Sequence, residues 1–470
     1  MAIRRGPINA LVLGLAALVG LVGCSSSGGV SASSSQMAAT ALTAGTVFDS
    51  SQVHQIGVEV NQDDVTAMLA DYLSTGDKEW LTATVAIDGT EFDNVGIKLK
   101  GNSSLKGISA DAAPQDLPWR IKLDKYTDGA NLDGFTDFTV RANSTATSLN
   151  EAVALDLLRS SGLASEDAVE SSFSVNGSDS QLRLVVQNLD EQWVTENFPD
   201  AGSDSVLYKA EADGNWNWLG ADGDYSGSFD IEAGPDDYAP LIRLLNLVNN
   251  GTSDELAAQL PDLLDLNSFA TYLAFEELIN NSDDIDGPGN NSYLFWDSST
   301  QKFRIVAWDH NLAFGQTPNG GRGDGGRPGG NMPSGMPSDM QGGNVPSGMP
   351  TDMPSGAQGG GQGGGPQGGA APSGMPTDMP SGAQPSGGGQ GGGMPGGGMG
   401  GNNPLVTAFE ANSDWAALKD QAASDLQSGL IDSGTLTSSL DTWVSVVTSS
   451  GLVDESTITS EADAIRAYAS

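Results

Sequence analysis

Residues 316–403 hold 33 of the chain's 63 glycines and nine of its twelve methionines, and they contain no Trp, Tyr, Phe, Leu or Ile. A stretch of 88 residues with so little to bury cannot offset the entropy of ordering itself. It is expected to be a disordered Gly/Met/Pro-rich insertion. A block at 346–358 recurs at 372–384, with a weaker copy at 333–340. The repeat is too short and too rich in Gly and Pro for a solenoid. Its methionines could hold a soft Cu(I) ion; the simpler reading is a repeat-expanded linker. Patterned sequence flanks it at 46–315 and 404–470. Loop closure costs grow only logarithmically with length, so both flanks can belong to one domain.

The lone cysteine, Cys24, ends an apolar run at 11–22 that follows Arg4 and Arg5. That run is shorter than the roughly 20 residues a membrane span needs. Small residues before Cys24, with Ser25, Ser26, Ser27, Gly28 and Gly29 after it, resemble a bacterial lipoprotein cleavage site. On that reading residues 1–23 are a signal peptide, Cys24 is the lipidated N-terminus and 24–45 form a flexible tether. The protein is then extracytoplasmic and touches the membrane only through its lipid anchor. The alternative is an ordinary secretory signal with an incidental cysteine.

Sixty acidic and 20 basic side chains give a formal charge of -40. Such a surface repels nucleic-acid phosphates and attracts divalent cations and basic proteins. One cysteine excludes an internal disulfide and a cysteine zinc cluster, and His54 and His310 alone exclude a multi-histidine site. A metal would be held mainly by oxygen, as Mg²⁺, Mn²⁺ or Ca²⁺ are.

The hydrophobic period divides the patterned sequence. Residues 55–60, 82–87 and 94–99 alternate as strands do, and Asp88-Gly89 marks a turn. Short strands are expected at 119–123 and 138–141, and a hairpin at 171–175 and 182–186 around Asn176-Gly177. Residues 63–73 read as a helix capped by Asp63, and 148–161 as a helix stopped by Gly162. Helical spacing then dominates at 238–248, 255–264, 266–280 and from Trp415 onward, with strands at 292–296 and 303–307. The class is α+β, strand-rich in front and helical behind.

Three places gather polar residues without an obvious packing reason. Lys100-Gly101-Asn102-Ser103-Ser104 follows a strand, and small residues there let backbone N–H groups approach a phosphate; an ordinary turn would read the same. Residues 280–291 carry Asp283, Asp284 and Asp286 among four asparagines, a set that a cation would neutralise; a solvated loop is the alternative. Trp308-Asp309-His310-Asn311 ends an apolar strand, and an Asp there suits either a metal or a helix cap.

In their order along the chain, 100–104, Arg120-Ile121-Lys122-Leu123-Asp124, 283–291 and Trp308-Asp309-His310-Asn311-Leu312-Ala313-Phe314-Gly315 resemble the spore coat protein H (CotH) kinase family. The resemblance implies an atypical bilobal protein-kinase-like fold that uses ATP and Mg²⁺ (or Mn²⁺) to phosphorylate Ser/Thr hydroxyls of a protein acceptor, one that is basic or Ser-rich. Lys100, Gly101, Asn102, Ser103 and Ser104 would cover the phosphates. Lys122 would pair with the α/β-phosphates and be oriented by Glu151. Asp283, or Asp284 beside it, would be the base; Asp309 would hold the metal, with Asn291 and Asp283 as further ligands. The chain departs from the family pattern at Asn150, at Leu182-Arg183 and at Gln187. A non-catalytic surface protein using the same fold is the second hypothesis, and a hydrolase using His310 as base a distant third. None of these motifs identifies the acceptor or the oligomeric state.

Overall fold

The computed structural model describes residues 46–212, 214–287, 291–317 and 403–469. The expectations for the signal peptide, Cys24, the tether, the Ser103 side chain and the repeats lie outside the described residues.

Seven strands close into a barrel: β1 (His54–Val60), β2 (Leu81–Ile87), β3 (Thr90–Leu99), β4 (Trp119–Lys122), β5 (Asp137–Val140), β6 (Ala168–Val175) and β7 (Gln181–Gln187). Their order around the barrel is β1-β2-β3-β4-β5-β7-β6. Alternation decides what faces inward, and Ile56, Val58, Val85, Ile97, Leu99, Trp119, Ile121, Phe138, Phe173 and Val185 share one core. Asp88 and Gly89 take φ of 48° and 82°, the left-handed pair that a tight hairpin requires. Closure comes from β1 lying parallel to β6, His54 beside Ser171 and Val58 beside Val175. Helix α1 (Gln62–Thr75) buries Val65, Met68 and Leu69 against this core. Its cap is Asn61, not the expected Asp63: Asn61 has the extended backbone of a cap, and its side chain accepts from the Asp63 N–H.

Helix α2 (Leu149–Ser160) packs its apolar residues with the outward-facing Leu184 and Val186 of β7. After α3 (Glu191–Asn197), a four-stranded sheet in the order β11-β10-β8-β9 is built from β8 (Val206–Ala210), β9 (Phe229–Ala233), β10 (Ser292–Asp297) and β11 (Lys302–Ala307). Helices α4 (Ala239–Asn250), α5 (Ser253–Leu263) and α6 (Leu266–Leu278) lie between β9 and β10 in the chain. The chain after residue 403 adds α7 (Pro404–Glu410), α8 (Ser413–Leu426), α9 (Thr435–Ser450) and α10 (Glu455–Arg466). Their Leu405, Phe409, Trp415, Leu436, Trp443 and Ile458 enter the same core as α2, α6 and the sheet. The mixed α+β organisation, strand-rich in front and helical behind, is as expected. Strands β8 and β9 and helix α3 were not expected from periodicity.

Candidate functional site

The pairing of β3 with β4 sets Lys98 opposite Arg120 and Leu99 opposite Trp119. Because Leu99, Trp119 and Ile121 fill the barrel, the alternate residues Lys98, Lys100, Arg120 and Lys122 are left on its outside. The Trp80 ring lies beneath part of this row, 4.8 Å from Lys98 Nζ, 4.9 Å from Lys125 Nζ and 5.9 Å from the Arg120 guanidinium. Across from it, the pairing of β8 with β9 and β10 puts Lys209, Asp230 and Tyr293 on one sheet face. Lys100 senses the charges of Glu232 and Lys209, and Arg120 those of Glu232 and Tyr293, so the two faces confront one another.

The cations on the barrel face differ in how they are matched. Arg120 grips the buried carboxylate of Asp137 through two nitrogens, at 3.0 and 2.7 Å. Lys122 lies 3.2 Å from Asp124 and 3.6 Å from Asp137. Lys100 is half-buried, and no carboxylate comes within ion-pairing distance of it among the described residues. Its Nζ lies 3.5 Å from Asn188 Oδ1 and 5.5 Å from the Trp308 ring. Burial, reinforced by Arg120, pushes its ammonium down to about 7. Beside it Asn188 Nδ2, and nearer to Arg120 the Thr139 Oγ1 and the Tyr293 hydroxyl, are buried without a hydrogen-bond partner among the described residues.

The expected pair between Lys122 and Glu151 is replaced by another. Glu151, in the first turn of α2, meets Arg141 at 2.6 Å, and Arg141 reaches Asp309 at 3.2 Å. The register explains it: Lys122 is opposite Asp137, whereas Arg141 directly follows β5 on the way into α2. A forked guanidinium can bridge two carboxylates, which a lysine point charge does less well. Arg141 also lies over the Trp308 ring at 4.8 Å. Burial opposes its charge, but Asp309 and Glu151 outweigh burial and raise its pKa; burial raises that of Glu151. Sequence reasoning missed Arg141, although it is the only basic residue between β5 and α2.

Asp309 takes a left-handed backbone, φ 64° and ψ 63°, unusual for a residue with a side chain. Its turn is held from two sides. Asn150 Nδ2 and Ser144 Oγ donate to the Asn311 carbonyl at 2.6 and 2.9 Å, so Asn150 serves to dock the turn on α2. The N–H groups of Phe314 and Gly315 donate to the carbonyls of Ile279 and Asn280, just ahead of the Asp283 loop. Gly315 has φ +70°, and a Cβ there would sit 2.7 Å from the Tyr468 hydroxyl. In the loop itself burial, then the charge of Glu276, pushes Asp284 up to about 7. The Asp286 carboxylate accepts from Asn403 N at 2.7 Å, and Asn291 immediately precedes β10.

The Gly101 turn is fastened from below. Lys78 Nζ donates to Gly101 O at 2.7 Å and to Asn102 Oδ1 at 2.8 Å. Gly101 has φ +90°, a backbone that a side chain would strain. His310 is not an available base. It is fully buried with Nε2 3.1 Å from Glu276, whose charge outweighs burial and raises the imidazole to about 9.

Among the described residues no three His, Cys, Asp or Glu side chains gather as a metal cage. Asp309 faces a guanidinium instead. The expected set Asp309, Asn291 and Asp283 has two carboxylates and one amide, so it falls outside that count.

A barrel face bearing Lys98, Lys100, Arg120 and Lys122 thus stands opposite a sheet face bearing Lys209, Asp230 and Tyr293, with Asp309 just past the end of β11. The family model described as CotH kinase protein matches residues 97–344, more than half of the 470 residues, and the chain belongs to this family. The match takes in Lys100, Lys122, Arg141, Glu151, Asp283 and Asp309. Membership points to kinase-like function, with nucleotide and metal use in general. No curated protein matches the chain.

Proposed function

We propose that the chain is an extracytoplasmic protein kinase, anchored through Cys24, that transfers phosphate from ATP to Ser or Thr hydroxyls of a basic or Ser-rich protein. The barrel serves as the N-terminal lobe and the sheet with its helices as the C-terminal lobe. One observation carries this reading: Lys100, an unmatched, half-buried cation beside Trp308. Withdrawing a charge from water without a partner is unfavourable, and a phosphate would supply the partner. Lys122 already lies against Asp124 and Asp137, so Lys100 rather than Lys122 is assigned to the nucleotide phosphates. The unpartnered Thr139, Asn188 and Tyr293 offer further hydrogen bonds to the same ligand. In the transfer step the acceptor oxygen bonds to the γ-phosphorus and the bond to the β–γ bridging oxygen breaks. ADP leaves, and the hydroxyl proton passes to Asp283 or Asp284. The protein's contribution is alignment and charge placement.

The engagement of Asp309 by Arg141 favours a second reading, a surface protein that binds through this cleft without transferring phosphate. A titration of thermal stability with ATP and Mg²⁺ or Mn²⁺, followed by label transfer to a basic Ser-rich peptide, separates the two. Stabilisation together with transfer that disappears in Asp309→Asn is the expected result. Stabilisation without transfer supports the binding protein, and no response to nucleotide removes both readings of the cleft.

A further inference from the structure

Helix α6 buries Phe269, Ala270, Tyr272, Leu273, Ala274 and Phe275, and among them a carboxylate, Glu276, which is 2% exposed. A charge in such surroundings is unfavourable unless every oxygen is engaged. Both are. Oε1 lies 3.1 Å from His310 Nε2, the residue after Asp309. Oε2 accepts from Asn281 Nδ2 at 2.9 Å, two residues before Asp283. One turn earlier on the same helix the Tyr272 hydroxyl accepts from Ile285 N at 3.0 Å, on the other side of Asp283. The Asp309 turn and the Asp283 loop are thus both fastened to one buried side chain.

We propose that Glu276 is a positioning residue that fixes the Asp309 turn against the Asp283 loop, an inference that rests on the kinase reading for its catalytic consequence. Glu276 is buried, so its carboxylate is not itself open to a ligand. Its two bonds run to the neighbours of the acting residues, one to each segment. Backbone bonds from Phe314 and Gly315 to 279–280 already join the segments at one end. Glu276 adds the constraint at the other end, nearest the two aspartates.

The test uses the full chain and three variants, Glu276→Gln, Asn281→Ala and Glu276→Leu. Amide hydrogen exchange reads the linkage without any assay of activity. In Glu276→Gln, residues 281–286 and 309–315 are expected to exchange faster together, while β3 and β4 keep their protection. Asn281→Ala should loosen 281–286 alone, because it breaks a single arm. Turnover in Glu276→Gln should fall by about 10-fold to 100-fold with the apparent affinity for ATP within about threefold of the parent, the signature of lost alignment. Unchanged exchange in both segments, or equal losses of turnover and affinity, overturns the proposal. If Glu276→Leu does not fold, Asn281→Ala still decides, since its side chain can be lost without leaving a buried charge unpaired by His310. Should the parent transfer no phosphate, the kinase reading fails, and the exchange data alone decide whether Glu276 links the two segments.

Discussion

Lys100 and Glu170 lie far apart around the same barrel, after β3 and on β6, and neither has a partner of opposite charge among the described residues. Their surroundings differ in one respect. Lys100 keeps access to the cleft, with Trp308, Asn188 and the opposed sheet around it. Glu170 is sealed beside α2, both of its oxygens without hydrogen bonds among the described residues and Glu151 the nearest charge. An unmatched charge with a route to a ligand is a binding group in waiting. An unmatched acid without one disfavours its charged form, and burial, then Glu151, drives its pKa well above the ordinary carboxylate value. Glu166, pushed up to about 7 chiefly by burial, belongs to the same sealed layer. Arg141 stands between the two regions, pairing with Glu151 of the sealed layer and Asp309 of the cleft.

Breaking that bridge should give the largest effect. Arg141→Met leaves two largely buried carboxylates without a counter-charge, and a loss of about 3–5 kcal/mol is expected in urea unfolding. A loss below about 1 kcal/mol would mean that the two regions are not joined through this guanidinium. Lys100→Met should lower nucleotide affinity by about 100-fold, since a charge-assisted contact in a desolvated site is worth about 1.5–3 kcal/mol. The same variant should unfold at a higher temperature than the parent when no ligand is present. Weaker binding without a gain in stability would show that Lys100 is already matched in the free protein.

The pH dependence sharpens the contrast, because the two groups have opposite signs. Lys100 has a folded pKa of about 7 against an unfolded value near 10.5, so the unfolded chain binds more protons in that window. Its contribution makes stability rise from about pH 7 to 10.5, a dependence that Lys100→Met should remove. Phosphate binding would draw a proton back onto the amine, so affinity for nucleotide should fall above pH 7, by about tenfold per unit at most. Glu170 runs the other way. Its folded pKa is raised, so its contribution is present below the ordinary carboxylate range and is lost as pH climbs. Glu170→Gln should therefore leave stability unchanged at pH 4 and raise it at pH 8 in paired thermal melts. The smallest effect is expected from Lys122→Ala, which removes contacts to Asp124 and Asp137 while Arg120 still holds Asp137. Nucleotide affinity should change by less than about threefold, as for a partly exposed ion pair; a loss as large as that for Lys100→Met would return the phosphate role to Lys122.

Much of the frame was legible because it is written in neighbouring residues. Strands β1 to β7 follow from alternation, and the β2–β3 and β6–β7 hairpins from Asp88-Gly89 and Asn176-Gly177. Lys100, Asp283 and Asp309 could be singled out for the same reason: each stands in a short polar motif at the end of an apolar element, whereas Glu151 came only from the family resemblance. Their partners could not. Glu151 meets Arg141, and the Arg141 signal was a single cation at the end of a short strand. Glu276 is buried beside the apolar residues of α6 and next to the exposed Glu277, so periodicity reads past it.

The sequence by itself determined which residues turn inward and which outward, because a two-residue or 3.6-residue repeat is a short-range property of the backbone. It also determined the charge imbalance that makes each cation in the cleft conspicuous. Only the tertiary structure decided that β1 would close on β6, and that one guanidinium would serve both Glu151 and Asp309. The same is true of the lysine left unmatched. These depend on which segments distant in the chain are packed together, and ionic contacts of 3 Å follow from that packing rather than from spacing along the chain.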